Sequence, residues 1–111
     1  MCLVCVDLRS ESVSAITESQ GFVVNILSSE QEEISRRFAS KLPEKFEGVV
    51  YRDGPATGAP ILAGVLAWIE CKVHQSIPAG DHTVFIGEIQ DGTANEGTPL
   101  VYYRSQYRHL G

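Results

Sequence analysis

The longest strand signal in the chain, "VLAWIECKVHQSI" over residues 65–77, runs through "PAGD" into "HTVFIGEIQ" over residues 82–90. Alternation in the first run puts Val65, Ala67, Ile69, Cys71 and Val73 on one face, with Leu66, Trp68, Glu70, Lys72 and His74 on the other. The first face is the expected core. Gly80 supplies positive φ and Asp81 local hydrogen bonding, so the pair reads as an antiparallel hairpin that needs further strands and a covering layer. His82 stands at the mouth of the second strand, where turn chemistry asks for no imidazole. That makes it a candidate functional residue.

The rest of the chain supplies those strands and two short helices. Cys2 to Val6 reads as a strand, and "DLRSES" breaks it before a helix over Val13 to Ser19 that ends at Gly21. Ser10 or Ser12 is the expected cap, leaving the positive helix end beside Arg9, a combination that can hold a phosphate. Phe22 to Leu27 is the next strand, and Ser29-x-x-Glu32 reads as a capping box for a second helix. Glu30, Glu32 and Glu33 at its start, and Arg36, Arg37 and Lys41 toward its end, agree with the helix dipole; Pro43 ends it. Ile34 and Phe38 share its apolar face. Glu47 to Gly64 reads as a loop with short extended pieces around Tyr51 and Ile61-Leu62. After the hairpin, "DGTANEGTP" reads as a turn, Leu100 to Arg104 as a strand, "SQ" as a tight return and Tyr107 to Leu110 as a last strand. The expectation is one domain over residues 1–111, mainly β of the α+β kind, a small barrel or sandwich of antiparallel strands with helices at its ends.

Composition narrows the function. With 9 Lys+Arg against 14 Asp+Glu the net charge is −5, and no basic run occurs, which argues against a nucleic-acid or anionic-membrane surface. The first residues, "MCLVCVDLRS", are too short to span a membrane and lack the basic start and cleavage site of a signal peptide, so a cytoplasmic protein is expected. Cys2 and Cys5 have C-x-x-C spacing, but in a strand an offset of three sends them to opposite faces, and Cys71 lies in another strand. No metal site and no disulfide framework is expected from them; they read as small buried hydrophobes.

Six stretches in order, "LVCVDLRSES", "GFVVNILSSEQEEISRRFAS", "KFEGVVY", "TGAPILAGVLAWIECKV", "AGDHTVFIGEI" and "TPLVYYRSQYRHL", together resemble the flavin reductase-like family. The "GDH" hairpin followed by "IGEI" is the most specific of them. The resemblance implies the FMN-binding split β-barrel, with Greek-key antiparallel strands and two short helices. Family members carry a further N-terminal segment, two strands with a Thr/Ser-rich motif that touches the flavin, and Met1 falls just before the strand that follows it. The chain therefore reads as a shortened relative lacking the family's first strands.

What the family does is reduce FMN or FAD with NADH or NADPH and supply the reduced flavin to a monooxygenase, working as a homodimer that hides its sheet edges. By resemblance, Asp7, Arg9, Ser10, Ser12, Phe38 and Lys45 bind the flavin, with Arg9, Ser10 and Ser12 holding its phosphate, Phe38 beside the ring system and Lys45 near the phosphate. Gly80, Asp81 and His82 serve the nicotinamide together with Arg104 and Tyr107, and His82 takes part in the reductive step. No metal is implied. The alternative reading is a non-catalytic or weakly flavin-binding dimeric β-barrel module, because the N-terminal flavin motif is missing.

Overall fold

A computed structural model of the chain describes residues 1–39, 48–104 and 106–108. In chain order the elements are β1 (Cys2–Asp7), α1 (Glu11–Ser19), β2 (Gly21–Ile26), α2 (Glu32–Ala39), β3 (Tyr51–Asp53), β4 (Pro60–Leu62), β5 (Ala67–Ala79), β6 (His82–Ala94), β7 (Val101–Tyr103) and β8 (Gln106–Arg108). The sheet order is β1-β6-β5-β2, all neighbours antiparallel, and β3–β4 and β7–β8 form small hairpins of their own.

The β5–β6 hairpin is the spine. Its first strand has the expected 13 residues but is shifted by two, starting at Ala67 and not Val65: Ala79 pairs with His82, so the loop is only Gly80-Asp81, and the second strand runs on through Asp91 to Ala94, where a turn is expected from "DGTANEGTP". Gly80 takes φ +62°, the freedom this two-residue loop requires. The register shifts between Glu70 and Cys71 and between Val73 and Gln75. Such bulges increase local twist, and this sheet curls.

The curl corrects the expected core face. Trp68 and Glu70, assigned by alternation to the polar face, are both buried, because the β3–β4 hairpin and its loop fold over that side of the sheet. Two clusters result. Ile61, Leu62, Val65 and Trp68 pack with Ile34 and Phe38 of α2, while Phe22, Cys71 and Phe85 pack with Val13 and Ile16 of α1. Each helix thus covers one cluster, and a buried phenylalanine such as Phe85 contributes about 1.5–3 kcal/mol. Gly87 lies where Phe22 and Cys71 press against β6: a Cβ there would come within 2.6 Å of the Phe22 ring and 2.7 Å of the Cys71 Cβ.

Two helix signals also resolve differently from expectation. Helix α1 starts at Glu11 with Ser10 as its cap, but it ends on Gln20 at φ +58°, not on Gly21. Gly21 opens β2 instead, where a Cβ would collide with Thr57. Helix α2 starts after Gln31, whose carbonyl accepts from the Ser35 N–H, so Ser29 and Glu32 form no capping box. The Gln31 side chain takes the anchoring role, accepting from the Ser28 N–H at 2.9 Å and donating to the Ala63 carbonyl at 2.9 Å. Lys41 and Pro43 lie outside the described residues.

Glu70 is the fold's buried charge, and nothing in the sequence reading marked it. Its Oε2 accepts from the Thr57 N–H at 2.9 Å, the Thr57 hydroxyl at 2.8 Å and the Ala56 N–H at 3.2 Å. A Cβ on Gly54 would run into the same carboxylate. Glu70→Ala strands three donors and leaves a cavity, so it is expected to lower stability by about 3 kcal/mol. Gly54→Ala should destabilise as well, by displacing the carboxylate. Urea unfolding followed by Trp68 fluorescence checks both; wild-type midpoints in both variants would remove Glu70 as an anchor.

Candidate functional site

Strand register brings two distant sequence stretches together. Asp7 at the end of β1 lies directly across from His82 at the start of β6, and the Leu8 N–H donates to the Asp81 carbonyl at 2.9 Å. The "DLRSES" loop and the "GDH" turn are therefore one surface.

Within it Asp7 is the organising group. Its Oδ1 accepts from the Arg9 backbone N–H at 2.8 Å and from Arg9 Nε at 3.1 Å, and its Oδ2 from Arg9 Nη2 at 2.9 Å. These Arg9 donors hold the Asp7 carboxyl well below its ordinary value, and Asp7 in turn raises the Arg9 guanidinium. One edge of the guanidinium is thus committed to Asp7, although the side chain is 87% exposed. The expected direct fork onto a phosphate is reduced to the remaining N–H groups.

Ser10 accepts from the Ser12 N–H at 3.2 Å, as a helix cap should, and Glu11 occupies the first turn. Ser12 and Phe38 meet in a cleft of about 330 Å³, walled by Val23, Asn25, Ile34 and Leu62. Asn25, which sequence reasoning passed over, ties the cleft wall together: its amide donates to the Pro60 carbonyl at 3.2 Å and its oxygen accepts from the Leu62 N–H at 3.0 Å. An amide side chain inside the apolar run "GFVVNIL" was the available signal.

On the other side of the surface, His82 Nδ1 lies 2.7 Å from Asp81 Oδ1. Single ligand atoms of Asp7, Asp81 and His82 lie within 4.8 Å of one another. Tyr107 is placed elsewhere: its hydroxyl donates to Ser35 Oγ at 2.9 Å, and Arg36 lies 4.7 Å from its ring centroid. The structure thus ties Tyr107 to α2. Arg104, at φ +51°, forms the β7–β8 turn, and Lys45 lies outside the described residues. The three thiols are free; Cys2 faces the core, Cys5 is exposed, and burial pushes the Cys71 thiol up to about 11.

A family model for the flavin reductase like domain matches residues 1–111, and the chain belongs to that family. Over 91% of its length it is 41% identical to a flavin reductase of Pseudomonas putida, of which it covers 59%. It is 40% identical, over 95% of its length, to the reductase subunit HsaB of a flavin-dependent monooxygenase from Rhodococcus jostii, of which it covers 54%. The fold matches the NADH:FAD oxidoreductase SgcE6 of Streptomyces globisporus C-1027, solved with NAD and FAD fragments. That match has a TM-score of 0.91 at 30% identity, over 98% of this chain and 67% of that one. The chain spans less than two thirds of the length of these curated relatives. Of the split β-barrel expected from the resemblance, the structure has the antiparallel strands, curled into a half-barrel, and the two short helices, as in the solved flavin reductase folds.

The sign of the Asp7 shift gives a direct test. A depressed carboxyl pKa means the Asp7–Arg9 pair is complete above the ordinary value of 3.8 and is lost only in stronger acid. In a carbon-detected titration Asp7 should stay ionised through the range where exposed aspartates protonate, and Arg9→Ala should return it to that range. A normal Asp7 titration in the wild type would mean that the pair does not persist in solution.

Proposed function

We propose that the chain is the flavin- and nicotinamide-handling part of an NAD(P)H:flavin oxidoreductase whose reduced flavin serves a monooxygenase. The observation that carries this reading is the Asp7–His82 register, which joins the loop leading into a phosphate-compatible helix start to the turn that bears an imidazole. Family membership and the naming of relatives as flavin reductases and a monooxygenase reductase subunit support it. The residues present fit a flavin monophosphate end: a capped helix N-terminus, Ser12 and the Arg9 donors, next to a cleft with an apolar wall and Phe38. A flavin held by these residues would supply the redox chemistry, as hydride acceptor to a reduced nicotinamide.

The chain's own residues bind, orient and exclude water. Arg9 pairs with Asp7 and offsets its charge, which leaves Glu11 in the first turn of α1 as the remaining acidic group beside a phosphate. In this reading His82, across from Asp7, handles the nicotinamide or a proton at its imidazole. Arg104 and Tyr107 are left with a secondary part, through the β7–β8 hairpin. The choice between FMN and FAD and between NADH and NADPH belongs to this proposal.

A homodimer goes with the same reading. His82 and Asp7 share the outer sheet face with Leu3, which is 59% exposed, and with Ile77 across from Val84. β1 is also an edge strand. A second copy covering that face would dry the site and blunt the edge. Among the described residues no helix is long and apolar enough to cross a membrane. A cytoplasmic location fits the three free thiols.

Two variants test the assignment. His82→Ala should leave flavin affinity near wild type and slow reduction of bound flavin by about 100-fold or more, read by rapid-mixing absorbance. An unchanged rate in a flavin-loaded variant would return His82 to a surface role. Arg9→Ala should weaken FMN but not riboflavin by about 1.5–3 kcal/mol, at least tenfold, and adding Asp7→Asn should recover part of that loss. Equal weakening of both flavins would remove Arg9 from the phosphate site. No flavin binding by the wild-type chain would favour the non-catalytic module.

A further inference from the structure

The geometry points to Asp81 as the positioning residue that fixes His82 as its Nδ1–H tautomer, so that Nε2 offers a lone pair to the carboxamide N–H of the nicotinamide. This rests on the proposed reductase reading for its ligand, but not for the tautomer itself.

An ionised carboxylate only accepts, so the 2.7 Å contact between Asp81 Oδ1 and His82 Nδ1 places the proton on Nδ1. A neutral imidazole has one N–H, and the proton on Nδ1 leaves Nε2 as an acceptor. Asp81 is well placed to hold this arrangement although its side chain is 85% exposed. Its backbone sits in the two-residue loop set by the Ala79–His82 pair, and its carbonyl accepts the Leu8 N–H, so neighbouring strands clamp it from both sides.

The other carboxylate facing the ring, Asp7 on β1, makes its hydrogen bonds to Arg9, whereas the His82 ring bonds to Asp81. Among the described residues no hydrogen bond reaches His82 Nε2, and the side chain is 42% exposed, so that nitrogen is available to a ligand. A lone pair there selects a donor. Of the groups on a pyridine dinucleotide, the carboxamide NH2 is the donor on the reacting ring, whereas the phosphates only accept.

Two measurements on the full chain decide this. The first is a long-range proton–nitrogen spectrum of the imidazoles, recorded at a pH above which their shifts no longer change. His82 is assigned in it by comparison with His82→Ala. The wild type should show the Nδ1–H pattern and Asp81→Ala the Nε2–H pattern. An Nε2–H pattern in the wild type, or no change in Asp81→Ala, overturns the role of Asp81 whether or not the chain is a reductase. The second is calorimetric binding of NAD+ and of its 3-acetylpyridine analogue, which lacks the amide N–H, to the flavin-loaded chain. The wild type should prefer NAD+ by about tenfold, the worth of one hydrogen bond, and Asp81→Ala should bind the two alike. Equal binding by the wild type overturns the carboxamide contact. Absence of binding by either dinucleotide overturns it together with the reductase reading, while the imidazole spectrum still decides Asp81.

Discussion

The ladder between β5 and β6 sets the position of nearly everything else. Each strand is 13 residues long, and each lends its outer edge to a further strand: β6 to β1 over Cys2–Asp7 and β5 to β2 over Gly21–Ile26. The added strands do not overlap along the hairpin in the same way. β1 sits toward the Gly80 turn, whereas β2 sits toward the start of β5, so the two core clusters lie at different heights and each receives its own helix. The register shifts near Cys71 and Val73 supply the curl that buries both faces at the start of β5.

Two carboxylates show how burial decides what a charge is for. Glu70 is fully buried, and its hydrogen bonds to the 56–57 backbone and the Thr57 hydroxyl fasten a Gly-rich loop to the sheet. Without those donors the charge would cost several kcal/mol, so carboxylate and loop are mutually dependent. Asp7 makes comparably short contacts with Arg9, but that guanidinium is in water, where solvent and salt screen the pair and little stability comes from it. Its effect lies in charge placement beside His82, where it neutralises one carboxylate and leaves another to act on the ring.

The sequence made the strands legible wherever alternation met turn chemistry. The hairpin, β1, β2, both helices and the short pieces at Tyr51 and Ile61 were all readable from residue pattern, and so was the division of Cys2 and Cys5 between faces. What failed had one cause: patterns report a single element, and tertiary contacts decide the rest. Trp68 and Glu70 look solvent-facing until a loop covers them, and Ser29 looks like a cap until the Gln31 side chain ties Ser28 to Ala63. Gly21 looks like a helix terminator until Thr57 is placed against it. The "GDH" and "DLRSES" motifs were visible separately, but their adjacency was not, because strand partners are not written in either stretch.

That adjacency depends on the apolar pattern of β1. Cys2, Val4 and Val6 turn toward the Phe85 cluster, which forces Leu3, Cys5 and Asp7 to the opposite face, where Asp7 meets His82. A slip of one residue would exchange the two sets, exposing the valines and driving a carboxylate into the core. Burial of three apolar side chains against Phe85 therefore fixes the register far more strongly than the exposed Asp7–Arg9 pair could. The polar residues of the site choose neither their partners nor their distances; the hydrophobic side of the same strand does so for them. This is why residues separated by more than seventy positions in sequence can be held at hydrogen-bonding distances on a surface that itself contributes little stability.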